Sequence, residues 1–144
     1  MAANHGVDLV KDGRGRLITN VIDNVSWSTE KKLKEKDLWT KWHDECVELH
    51  CVQDADRLDA IGAFGVMRCA AYTAITNNPI YAPMGDPKQP YSAIQHFSDK
   101  LIHIRDRLKT NYGRSLGLKR HQLILDFLSA IEDEYDTLAP SHAN

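Results

Sequence analysis

Every long apolar segment of this 144-residue sequence repeats at steps of three and four, and none alternates at steps of two. That periodicity places apolar side chains on one stripe of a helix and counts against half-buried strands, although a short strand within 51–72 stays open. Trp39, Trp42, Cys46 and Leu49 form one such stripe, predicting a helix whose charged first turns run from about Glu30. The small-residue stretch from Cys51 to Tyr72, with Gly62 and Gly65 inside it, reads as one central helix that neighbours approach closely. Ser92 followed by Gln95 has the form of a capping box, opening a helix that would bury Ile94, Phe97, Leu101, Ile104 and Leu108 and stop near Asn111 and Gly113. A last helix runs from about Ser115 through Phe127, Ile131 and Tyr135, with Pro140 beyond it. The expected fold is therefore all-α, a helical bundle.

The domain reading is a flexible lead-in over 1–16, one helical domain over 17–138 and a tail over 139–144. Residues 76–91 contain four of the five prolines (Pro79, Pro83, Pro87 and Pro90) together with Gly85 and Asp86, and predict a loop. Loops of that length act as lids or binding loops, or serve as solvated connectors. Ser26 offers a cap oxygen to the segment after it.

Charge excludes some functions. A formal net charge of −2 argues against a general nucleic-acid binder or a membrane-surface protein. No apolar run approaches the roughly 20 residues needed to cross a bilayer. Three cysteines, Cys46, Cys51 and Cys69, without CxxC spacing fit reduced thiols in the cytosol or nucleus. The charges are sorted by position, however. Six carboxylates (Asp44, Glu45, Glu48, Asp54, Asp56, Asp59) lie between Asp44 and Asp59 against the single base Arg57, whereas eight bases lie between Gly85 and Arg120. Carboxylates attract a hard divalent cation, and lysine and arginine attract phosphate. Two readings stay open: one cleft built for metal-assisted attack on a phosphate ester, or two solvated helix faces. Helical spacing puts Asp56 and Asp59 on one face and turns Asp54 away from Asp56. It also places His96, Lys100, His103 and Arg107 in one polar row.

The segment Val52-Gln-Asp-Ala-Asp-Arg-Leu-Asp-Ala-Ile-Gly-Ala63 resembles the HD-domain phosphohydrolases, in the subgroup with a VQDADRLDAIGA segment. The resemblance continues in Phe64-Gly-Val-Met-Arg68, Ile94 to Leu101, Leu108-Lys-Thr110, Gly113-Arg114 and Arg120, with Val21 to Ser26 upstream. It implies the HD-type helical fold, with this chain corresponding to the C-terminal part and lacking the N-terminal helices. It implies hydrolysis of phosphate esters or nucleotide phosphoanhydrides with a divalent metal, manganese or magnesium. Asp56 would be the final metal ligand and Asp59 a catalytic neighbour, with His96, Lys100 and Arg120 on the substrate phosphate. The substrate would be a phosphorylated small molecule or nucleotide. The first His and the His-Asp pair of the family lie before this segment. His43-Asp44 spells the dipeptide but follows Trp39 to Trp42 instead of an apolar run. One lone Asp cannot fix a catalytic divalent ion. The expectation is a truncated, inactive phosphohydrolase. The alternative is a non-catalytic binding or regulatory paralogue that self-associates or pairs with a full-length relative.

Overall fold

The computed structural model describes residues 10–138, all of whose regular elements are helical. The expectations for 1–9 and for the tail 139–144 lie outside the described residues. The chain divides into two compact units, the first ending at Gln53 and the second beginning at Asp54.

In the first unit, α1 (Arg14–Asn24) starts inside the segment expected to be a lead-in, after Gly13 at φ +82°. Helix α2 (Trp27–Glu35) begins where the hydroxyl of Ser26 accepts from the Thr29 backbone N–H, as the cap chemistry predicts. The single helix expected from Glu30 to Leu49 does not form. Asp37 sits at φ +56°, ending that helical run, and the chain restarts as α3 (Lys41–Glu45) and again as α4 (Val47–Asp59). Three of the four expected positions still share a core: Cys46 and Leu49 are buried with Val21, and Trp42 packs against them, whereas Trp39 stacks on His43. Shared burial needs side chains to converge on one core, and separate short helices can achieve that as well as one long one.

In the second unit, the central helix expected from Cys51 to Tyr72 is likewise two helices. It breaks at Ala60–Ile61 and resumes as α5 (Gly62–Ile75), because Gly62 adopts φ +80°. The helix opened by Ser92 is also shorter than expected. Ser92 does accept from the Gln95 N–H, but α6 (Ala93–Asp99) ends at Asp99, and two 3₁₀ turns, Leu101–His103 and Arg105–Arg107, carry the chain to an extended Leu108. All five apolar positions still take part: Phe97, Leu101, Ile104 and Leu108 are buried with Leu58, Ile61 and Ile124, and Ile94 packs against them. The last helix, α7 (Asn111–Leu138), starts earlier than expected, so Gly113 lies inside its first turns instead of capping a preceding helix.

Candidate functional site

The VQDADRLD segment divides its acidic residues by direction, as the helical spacing requires. Asp54 is 3% exposed. Its Oδ1 accepts from the Lys109 N–H at 2.8 Å, and its Oδ2 accepts from the Thr110 N–H at 2.7 Å and the Thr110 hydroxyl at 2.8 Å. One turn on, buried Arg57 donates to the carbonyl of Arg107 at 2.6 Å. These two charged side chains fasten α4 to the strand-like link between the 3₁₀ turns and α7. Glycine at 113 is what admits the carboxylate, since a Cβ there would lie 2.9 Å from both Asp54 Cγ and Thr110 Oγ1.

Asp56 and Asp59 point the other way and are exposed. Asp59, the last residue of α4, forms an ion pair with Arg68 of α5, and Arg68 Nη2 donates to its Oδ1 at 2.9 Å. Both side chains are more than half exposed, so the pair contributes little to stability and is free to exchange partners. Arg120 of α7 donates to the Leu58 carbonyl, and its aliphatic carbons lie over Gly62, where a Cβ would come within 2.9 Å of Arg120 Cγ. It thereby covers the break between α4 and α5.

Arg68 also lines a cavity of about 410 Å³. The cavity lies between α5, the proline-bearing loop and the start of α6; Tyr72, Asn78, Tyr91 and His96 share its wall with Arg68. The loop is held in place by main-chain bonds from the Ala93 and Ile94 N–H groups to the carbonyls of Pro79 and Ile80. Of the residues expected at phosphate, His96 is in this wall and Lys100, the C-cap of α6, is exposed beside it. The expected polar row of His96, Lys100, His103 and Arg107 does not exist as one helix face, because α6 stops at Asp99. The cavity residues Arg68, Tyr72 and Tyr91 were not singled out in the sequence. The i, i+4 spacing of Arg68 and Tyr72 was the available signal.

Although His96 stays solvent-exposed, partial desolvation at the cavity wall, with Lys100 nearby, pushes its imidazole below its ordinary range, with Asp99 opposing. His121 is depressed for the same kind of reason, burial first and then Arg105. A histidine whose folded-state pKa is lowered binds more protons unfolded, so its contribution to stability is complete above the unfolded value and is lost as pH falls through that value to the folded one. Acidifying from pH 7.5 to 5.5 is expected to lower the melting temperature, and His96→Gln with His121→Gln should flatten that slope. A slope unchanged in the double variant would refute the assignment. At neutral pH His96 is a hydrogen-bonding group, leaving Arg68 and Lys100 to supply positive charge.

His43 and Asp44 have other occupations. The His43 ring accepts from the Thr40 N–H and meets Asn24 Oδ1 at 3.2 Å, while Asp44 accepts from the Trp39 indole. Among the described residues no group of three or more His, Cys, Asp or Glu side chains could hold a metal ion. The described residues therefore do not by themselves form the cage that the resemblance implies around Asp56.

No family model matches the chain. It is 32% identical over 124 residues to the uncharacterised protein YpgQ of Bacillus subtilis, a match covering 86% of this chain and 54% of YpgQ. A crystal structure of YpgQ in complex with ADP is similar at 33% identity and TM-score 0.55, over 65% of this chain and 46% of that one. An HD-superfamily hydrolase from Bacillus thuringiensis is similar at 28% identity and TM-score 0.56, over 76% of this chain and 61% of that one. The chain resembles the HD superfamily in sequence and in fold. Like other members of that likeness it is helical throughout its described regular elements. It spans about half the length of the curated relative it matches. No single helix among the described residues is long and apolar enough to cross a membrane.

Proposed function

We propose that the chain is part of an HD-type phosphohydrolase acting on a nucleotide or another phosphate ester, with the cavity beside Arg68 as the ligand site. The observation that carries this reading is the Asp59–Arg68 pair. It links the acidic segment to a cation in the wall of a cavity that also contains His96. The exposed pair lets an anionic ligand draw Arg68 away from Asp59, because a guanidinium binds phosphate as readily as carboxylate. YpgQ, whose structure holds ADP, supports a nucleotide as the ligand. In this reading His96 and Lys100 orient the phosphate, and Arg120 holds the turn from which Asp59 projects. Manganese or magnesium is the cofactor, with Asp56 one of its ligands; a hard divalent cation needs several oxygen ligands, so further ones must join Asp56.

Titrating the purified chain with ADP, with and without manganese, tests this. Saturable binding that Arg68→Met weakens about tenfold is expected, about 1.4 kcal/mol. Manganese-dependent phosphate release that Asp56→Asn abolishes would establish the hydrolase within this chain. No ADP binding under either condition would overturn the reading. The second reading, a binding or regulatory module that pairs with a full-length relative, is favoured by the uncovered apolar side of α5. Phe64 there is 77% exposed, and Met67 and Ile75 are exposed along the same helix. Sedimentation with YpgQ separates the two, since only pairing yields a heavier species.

A further inference from the structure

Helix α3 has only five residues, too few to persist by its own hydrogen bonds, so its ends decide whether it forms. An imidazole closes its N-terminus. Thr40 is the N-cap, and the Nδ1 of His43, at the third helical position, accepts the Thr40 backbone N–H at 3.1 Å. Glu or Gln is the usual occupant of that position. Histidine differs from both in gaining a proton between about pH 5 and 8.

The surroundings of His43 fix where its hydrogen sits. Asn24 of α1 donates through Nδ2 to the Asn20 carbonyl at 2.8 Å, which turns its Oδ1 towards His43 Nε2 at 3.2 Å. Nε2 therefore carries the hydrogen and Nδ1 the lone pair, a single neutral tautomer. Thr40 Oγ1, 2.8 Å from Nδ1, can turn to accept a hydrogen placed there. The Thr40 backbone N–H has no such freedom, because it can only donate. A proton on Nδ1 and the bond that caps α3 are mutually exclusive.

The ring is 8% exposed, stacked on Trp39 with centroids 4.4 Å apart and edge-on to Trp42 at 5.0 Å. Charged groups approach it from several helices. From α2 comes Lys34, which lies over the Trp39 ring at 4.8 Å and pairs with Glu30. On α3, Asp44 accepts from the Trp39 indole. From α4, His50 Nε2 donates to the His43 carbonyl at 2.8 Å, a bond it keeps with or without a charge. Helix α1 meets the ring through neutral Asn24. Asp44 favours a cation on the ring and Lys34 opposes one, so the Thr40 bond decides the outcome.

We propose that His43 is a proton-operated latch on the first unit. Neutral, it caps α3 and holds α1 through Asn24; protonated, it releases α3. Release frees Trp42 from the core of Val21, Cys46 and Leu49. It also loosens the first turns of α4, which His50 ties to α3.

Tryptophan fluorescence of the full chain tests this, because Trp27, Trp39 and Trp42, all the tryptophans of the sequence, lie in the first unit. His96 and His121 lie in the second, so their titration is read separately. Between about pH 8 and pH 5 the emission is expected to move reversibly to longer wavelength. It should follow a one-proton curve, the closed-to-open ratio falling about tenfold per pH unit. His43→Gln should abolish the shift and keep the circular dichroism of the parent, because a glutamine amide accepts from Thr40 and donates to Asn24 without titrating. His96→Gln with His121→Gln should leave the shift intact. A shift unaltered in His43→Gln, or none in the unmodified chain, overturns the latch. So does quenching without a wavelength shift, which means a charged ring in an α3 that stays closed. Should His43→Gln fail to fold, nuclear magnetic resonance of the unmodified chain decides. The imidazole in contact with the Trp39 and Trp42 indoles should carry its hydrogen on Nε2 at high pH, and the Thr40 amide should lose its exchange protection on acidification. A hydrogen on Nδ1 at high pH, or equal protection at both ends of the range, refutes the latch.

Discussion

Asp54→Ala is expected to destabilise the second unit by about 3–5 kcal/mol, the cost of leaving three donors at a buried site without their shared acceptor. The carboxylate is buried and takes three donors from Lys109 and Thr110. Alanine would leave two backbone N–H groups and a hydroxyl facing a dry void, each at a cost of about 1–3 kcal/mol, partly relieved by entering water. Thr110 is coupled to a further contact, because its hydroxyl also accepts from the Gly113 N–H at 2.9 Å in the first turn of α7. Losing the carboxylate therefore loosens the start of the longest helix as well. Since whole domains are stable by only about 5–15 kcal/mol, the variant should lose a large part of its folding free energy. Urea unfolding followed by circular dichroism measures it. Asp56→Ala, on the exposed side of the same helix, is the control and should change stability by less than about 0.5 kcal/mol. Equal losses in the two variants would contradict the assignment of Asp54 as the structural carboxylate of the pair.

Gly65→Ala is the second large effect. In an ordinary helix this change stabilises by about 1 kcal/mol. Here a Cβ would stand 2.6 Å from the carbonyl carbon of Ala60, a backbone group that cannot rotate away. The turn between α4 and α5 would have to open, displacing buried Ile61 and the Leu58 carbonyl held by Arg120. Overpacking of this kind costs about 1–3 kcal/mol, which outweighs the propensity gain. The same displacement would reshape the cavity, because Ala60 and Gly65 both line it. The melting temperature should fall and ADP affinity with it. Gly85→Ala is the contrast: a Cβ at Gly85 meets nothing within 4 Å, so its effect is limited to the strain of φ +90° in the loop. A melting temperature for Gly65→Ala at or above that of the parent would show that the close approach to Ala60 is not maintained in solution.

Much of this protein was legible residue by residue. The three-and-four periodicity fixed the all-helical class, and every apolar position assigned to the Ser92 segment is at the core of the second unit. Helical spacing separated Asp54 from Asp56 and paired Asp56 with Asp59 on the exposed face. The caps at Ser26 and Ser92 are local chemistry and were readable as such. Where helices break was not readable, because a break depends on what a backbone meets. Gly62 takes a positive φ with Arg120 laid over it, 58 residues further along the chain by number. A lone glycine in a helical pattern gives no notice of that.

The sequence alone thus settled periodicity, capping and the division of the acidic segment, since each follows from geometry within one helical turn. Only the tertiary structure decided that Asp54 answers Lys109 and Thr110, that Arg120 covers a chain break, and that Arg68, Tyr72, Tyr91 and His96 share one cavity. Those partners lie tens of residues apart in several cases, and what brings them together is the burial of Leu58, Ile61, Phe97 and Ile124 in a common core, a many-body requirement that no local spacing encodes.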